Sequence, residues 1–123
     1  MKKIATAVLS LALCQGAWAQ PKDPTELFKE YADCAGFHMT RASVLDQEGK
    51  EAEAARDVLP VIKQFHRLAE GLKSKDEANK AMYAAFKDQG EFVRNTPGGL
   101  ALVTQRYAAT CKALLEQSGA KAP

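Results

Sequence analysis

DPTELFKEYADCAGFHMTRASVLDQEG, residues 23–49, carries a helix start, a long amphipathic run, one of the two cysteines outside the leader, and a helix stop. Asp23 is placed to accept a bond from an orphan backbone N–H, Pro24 suits the first helical position, and Glu26 is placed to complete a capping box. Gly49 supplies a left-handed residue just past the end. At 100° per residue, Leu27, Tyr31, Cys34, Ala35, His38, Ala42 and Leu45 share one arc, with Lys29, Asp33, Thr40 and Gln47 opposite. Cys34 and His38 are therefore expected to look inward. Gly36 falls on the polar side, where close packing does not account for it. Phe37 and Val44, seven apart, form an apolar seam off the main stripe, either the edge of a bundle contact or a surface for a partner.

Working outward, the next run has helical phase from Lys50 to Leu72, with Ala55, Val58, Leu59, Ile62, Phe65, His66, Ala69 and Leu72 on one arc. Pro60 interrupts it on the polar side, which allows a kinked helix bending round the core or two short helices. Ser74-Lys75-Asp76-Glu77 is a second capping box. It opens a third helix, to about Arg94, that faces Ala78, Ala81, Met82, Ala85, Phe86, Gln89, Phe92 and Val93 one way. The alanines imply a close neighbour. Asn95-Thr96-Pro97 reads as a further cap-plus-proline start, and the fourth helix turns Leu100, Val103, Tyr107, Ala108, Cys111, Leu114 and Leu115 inward until Gly119. The tail 120–123 is expected to be loose.

Four helices joined by short turns predict an all-α fold, a single-domain antiparallel four-helix bundle. Cys34 lies roughly 15 Å past the start of helix 1 and Cys111 roughly 10 Å before the end of helix 4, at about 1.5 Å per residue. Antiparallel neighbours bring the two cysteines level. A parallel pair would mismatch by only about 6 Å, so the arithmetic supports the topology without deciding it.

The N-terminus explains why that pair should be bonded. Lys2-Lys3 precedes an uncharged apolar run from Ile4 to Cys14, and Ala17-Trp18-Ala19 has the small-x-small pattern read by signal peptidase. Residues 1–19 are expected to be a cleaved Sec signal peptide, cut between Ala19 and Gln20, leaving 20–123 as one helical domain. The apolar run is about half a membrane span, so no anchor is expected. Leu13 stands before Cys14 where lipid attachment wants a small residue. The two-lysine leader points to a bacterial periplasm, with secretion beyond it as an extension.

Losing the leader takes Lys2 and Lys3 away and leaves 15 basic and 15 acidic side chains, against 17 and 15 in the full chain. That balance does not draw nucleic acid or acidic lipid. In an oxidising compartment, Cys34 and Cys111 are expected to be joined, because no other cysteine remains to pair with either.

Each candidate chemistry needs particular residues at particular spacings. Neither cysteine has the Cys-x-x-Cys-His context of covalent haem, and Ala35 and Lys63 stand where a di-iron bundle needs Glu three residues before each histidine. Non-covalent haem or copper could use His38, Met39, His66 and Met82, since imidazole and thioether suit such ions. A histidine on an apolar stripe is ordinarily a hydrogen-bonded core residue, so no metal or cofactor is assigned. No serine sits in a Gly-x-Ser-x-Gly turn, and the expected disulfide removes a cysteine nucleophile.

The resulting expectation is a non-catalytic binding protein, acting on another protein as inhibitor, immunity factor, accessory subunit or chaperone. Phe37, Val44, Tyr83 and Leu102, projecting off the main stripes, are its candidate surface. The alternative is a metal or small-ligand carrier built on His38, Met39, His66 and Met82.

Overall fold

The computed structural model describes residues 23–119, and every regular element among them is helical. The leader, its cut between Ala19 and Gln20, and the tail 120–123 lie outside the described residues. Helix α1 is Pro24–Gln47, α3 is Lys75–Asn95 and α4 is Gly99–Gln117. Helix α2 has three stretches, Glu51–Glu53, a wide π-helical turn Ala54–Val58, and Leu59–Leu72. Together they form an antiparallel four-helix bundle with a Cys34–Cys111 disulfide between the first and last helices. No helix among the described residues is long and apolar enough to cross a membrane.

The caps explain where α1 begins and ends. Asp23 Oδ1 accepts from the Thr25 N–H at 2.9 Å, satisfying one orphan donor of the first turn. At the other end Gly49 has φ +77°, Lys50 N–H donates to the Leu45 carbonyl at 2.8 Å and Gly49 N–H to Asp46 at 3.1 Å. Those two bonds are a Schellman closure, which needs the left-handed residue that glycine adopts without a Cβ penalty.

Helix α1 is the centre of the bundle, packing most extensively on α2 and α3 and also on α4. A helix with neighbours on several sides has no single buried stripe. Tyr31, Cys34, Ala35 and His38 are buried as expected, but so are Phe28, Ala32, Gly36, Phe37 and Thr40. Thr40, expected on the solvent side, is 3% exposed, and its hydroxyl donates to the Gly36 carbonyl at 3.0 Å. Gly36 has a packing reason after all. A Cβ built there would stand 2.6 Å from the Ala85 Cβ and 2.8 Å from the Phe86 backbone nitrogen, so α1 and α3 touch nearly backbone to backbone. The alanines of α3 do mark a close neighbour.

The kink reading of α2 takes a specific form. Leu59 N–H donates to the Ala54 carbonyl, five residues back, and Pro60 follows within the first turn of the next stretch. Proline has no N–H to continue the i→i−4 ladder, and the wider turn absorbs the break. An extra residue per turn slips the helical phase. Ala54 and Val58 are buried, whereas Ala55 is exposed and Leu59 is 43% exposed, contrary to the uninterrupted arc. Beyond the slip, Phe65 and Ala69 are fully buried, though Leu72 at the helix end is exposed.

Ser74 Oγ accepts from the Glu77 N–H at 3.1 Å and so starts α3 as read. Helix α4 starts later than Asn95-Thr96-Pro97 implies. Asn95 completes α3, and Gly98, with φ +69°, is the residue before α4. Gly99 N–H closes the turn on the Thr96 carbonyl at 2.9 Å. A Cβ on Gly99 would come within 2.9 Å of the Val93 Cα, so a side chain at this crossing has no room. On α4, Val103, Cys111 and Leu114 are buried, but Ala108 is exposed. The core joins Phe28, Tyr31, Phe37, Phe65 and Met82 around the disulfide.

Candidate partner-binding grooves

The four candidate surface residues go to three different places. Phe37 is 1% exposed, with its ring 5.9 Å from that of Tyr107 and 5.0 Å from that of His38. It belongs to the core, because α4 closes over the flank of α1 that a single-stripe reading leaves open. Val44, half-buried, and Tyr83, 58% exposed, line a groove of about 370 Å³ between α1 and α3. Leu102, 49% exposed, lines a second groove of about 400 Å³ between α3 and α4.

The second groove includes a residue that helical periodicity turns inward. Phe92 is 43% exposed and shares this groove with Leu102, Val103 and Tyr107, while Asp88 and Arg106 give it charges of both signs. In the first groove, Tyr83, Lys87, Gly90 and Arg94 form one stripe along α3, at spacings of four, three and four residues. That stripe was readable from the sequence, but Gly90 and the charges do not register on a search for hydrophobic periodicity. A third depression, of about 580 Å³ between α1 and α4, sets charged Glu26, Lys29, Glu30, Asp33 and Arg106 beside Tyr107 and Leu114, and its Lys29 and Asp33 pair at 2.8 Å. The carboxylate partner raises the Lys29 pKa.

The histidines and methionines do not converge. His38 lines a depression with Arg41, Val61 and Lys112, whereas His66 and Met82 line another with Lys63, Glu70 and Asn79. Met39 is partly buried against the core. Among the described residues there is no cluster of three or more His, Cys, Asp or Glu side chains with metal-binding geometry.

Each histidine has a structural partner instead. The His38 ring stacks on Phe65 at 5.8 Å and 15°. Arg41 Nη1 lies 3.0 Å from His38 Nδ1, and because a guanidinium only donates, Nδ1 is the acceptor and the neutral ring carries its proton on Nε2. Burial and the neighbouring Arg41 charge lower the His38 pKa to about 4. His66 Nε2 bonds to Asn79 Oδ1 at 2.6 Å, tying α2 to α3, and Nδ1 lies 3.6 Å from Glu70. Gln89 makes a comparable tie, donating from Nε2 to the Asp33 carbonyl of α1 at 3.1 Å. These are bonds that fix helix positions.

No protein-family model, curated protein or solved structure matches the chain.

Proposed function

We propose that the protein is a non-catalytic binding protein of the periplasm, exported by a leader cut between Ala19 and Gln20, that acts by holding another protein. Roles of this kind include inhibitor, immunity factor, accessory subunit and chaperone. The supporting observation is the concentration of exposed Tyr83, Phe92 and Leu102 around two grooves that share α3. Large apolar and aromatic groups of this sort are what a protein interface buries. A buried disulfide between Cys34 and Cys111 is compatible with an oxidising compartment.

The test is affinity recovery from the native host, followed by native mass spectrometry of the material isolated from periplasm. A defined protein complex weakened by Tyr83→Ala or Leu102→Ala is the expected result. Bound metal or a chromophore, lost on replacing His66 or Met82, would favour a carrier instead. A chain still beginning at Met1 would contradict export by leader cleavage.

A further inference from the structure

We propose that the α1/α3 groove is the docking site, and that its occupant is a segment of a partner protein presenting an apolar anchor between acidic side chains. This names the surface behind the binding role above and rests on it. The groove has an apolar floor from Val44, Phe86 and Val93, with Tyr83 at its edge. Its two charged lining residues, Lys87 and Arg94, are both basic. Among the described residues neither forms an ion pair, although Glu91 follows Lys87 by one helical turn. The groove is therefore electrostatically one-sided. A partner with carboxylates completes it.

Gly90 is the second observation. It lies within α3, where glycine is a poor helix former, and a Cβ there would meet only the Arg94 Nη1, at 3.3 Å. Unlike Gly36 and Gly99, it has no backbone pressed against it. Its missing side chain instead leaves the groove open and lets the Arg94 guanidinium lie back over it. Gly71 also has open space around it, but it stands one residue from the end of its helix, where glycine disturbs little.

Spacing refines the partner chemistry. Lys87 and Arg94 are seven residues apart, about 10.5 Å along the axis at 1.5 Å per residue. Two carboxylates seven apart on a partner helix, with a Leu or Phe between them, match that separation. Two cations beside an apolar floor are too few for nucleic acid, whose binding rests on many phosphate contacts. They also fall short of the four to eight cations, roughly, that mark a basic patch for acidic lipid. The depression beside His38 also has two cations, Arg41 and Lys112. There, however, Arg41 bonds to His38, and the aromatic lining residues Phe37 and Phe65 are buried in the core.

The test is a selection of short random peptides displayed on phage against the oxidised, leader-free protein, with binding of the strongest synthetic peptide then measured by titration. Enriched peptides should carry an aromatic or aliphatic anchor flanked by Asp or Glu. Lys87→Glu with Arg94→Glu should weaken them about tenfold or more, and exchanging the peptide carboxylates for lysines should restore binding to that variant. Gly90→Leu improves helix propensity while filling the groove, so it should stay folded and bind less. Peptides that bind all these variants equally overturn this site while leaving the binding role standing, and sensitivity to Phe92→Ala and Leu102→Ala would move it to the α3/α4 groove. Failure to enrich any peptide overturns this site, whereas the binding role falls only if recovery from the native host yields no protein complex. Binding to anionic phospholipid vesicles that the charge reversals abolish would reassign the groove to lipid.

Discussion

Gly36 and Gly90 are both glycines inside long helices, yet they do opposite things. At Gly36 the missing side chain lets α1 and α3 meet, with Ala85 and the Phe86 backbone filling the space. At Gly90 the space stays open and is bordered by a charged side chain rather than by backbone. The α1/α3 contact is thus closed where Gly36 meets Ala85 and Phe86, and open where its groove is lined by Tyr83, Lys87, Gly90 and Arg94. Stability should reside in the first and recognition in the second.

The comparison breaks most severely at the disulfide. Replacing Cys34 and Cys111 together by Ala should cost up to about 4 to 5 kcal/mol, since the bridge spans 77 positions and restricts the unfolded chain. Urea unfolding of the double variant and of the oxidised parent measures the difference. That loss approaches the whole net stability of a small domain.

His38, on the part of α1 that packs against α2, tests the buried centre of the bundle through pH. Its folded pKa is lowered to about 4 from the ordinary 6.5, so the unfolded chain binds the extra proton first as pH falls. The contribution is fully present above about pH 6.5 and is lost progressively toward pH 4. Full loss corresponds to about 3 kcal/mol, and between pH 7.5 and 5 the drop should be about 2 kcal/mol. His38→Gln keeps an acceptor for Arg41 and should remove that pH dependence. A parent protein whose unfolding free energy is flat over the interval would contradict the buried neutral ring.

The glycines themselves sharpen the contrast by sign. Gly36→Ala should destabilise by about 1 to 3 kcal/mol, because the new methyl overpacks against backbone that has no rotamer to give. Gly90→Ala should stabilise by about 0.5 to 1 kcal/mol, because it improves an open helical position and asks only the flexible Arg94 head to move. Paired thermal or urea unfolding reads both. Smallest of all, Tyr83→Ala should change unfolding free energy by no more than about 0.5 kcal/mol, which makes it a clean probe of binding.

Fold class, the four helices and the cysteine pair were legible because each depends on local signals: caps, turn residues, helical period and a count of thiols. What escaped depends on neighbours. A helical wheel assumes one buried face, and α1 has several, so the wheel turns Thr40 outward, leaves Phe37 between a bundle contact and a partner surface, and gives Gly36 no reason. The π-turn at Ala54–Val58 slipped the phase of α2 in a way that 100° steps do not follow. Asn95-Thr96-Pro97 imitates a helix start, but the close crossing at Gly99 sets where α4 begins. The groove was only half visible. Val44 and Tyr83 stand out by their position off the main stripes, whereas Lys87, Gly90 and Arg94 acquire meaning only from what lies opposite them.

Amide hydrogen exchange of the oxidised protein tests the division between closed and open regions most directly. The account predicts that amides from Tyr31 to Thr40 exchange only through global unfolding, with protection equal to the full unfolding free energy, and that those from Gly90 to Arg94 exchange sooner through local opening. If the Tyr31 to Thr40 amides exchanged as fast as those from Gly90 to Arg94, α1 would not be the closed centre of this bundle, and the contrast between Gly36 and Gly90 would fail with it.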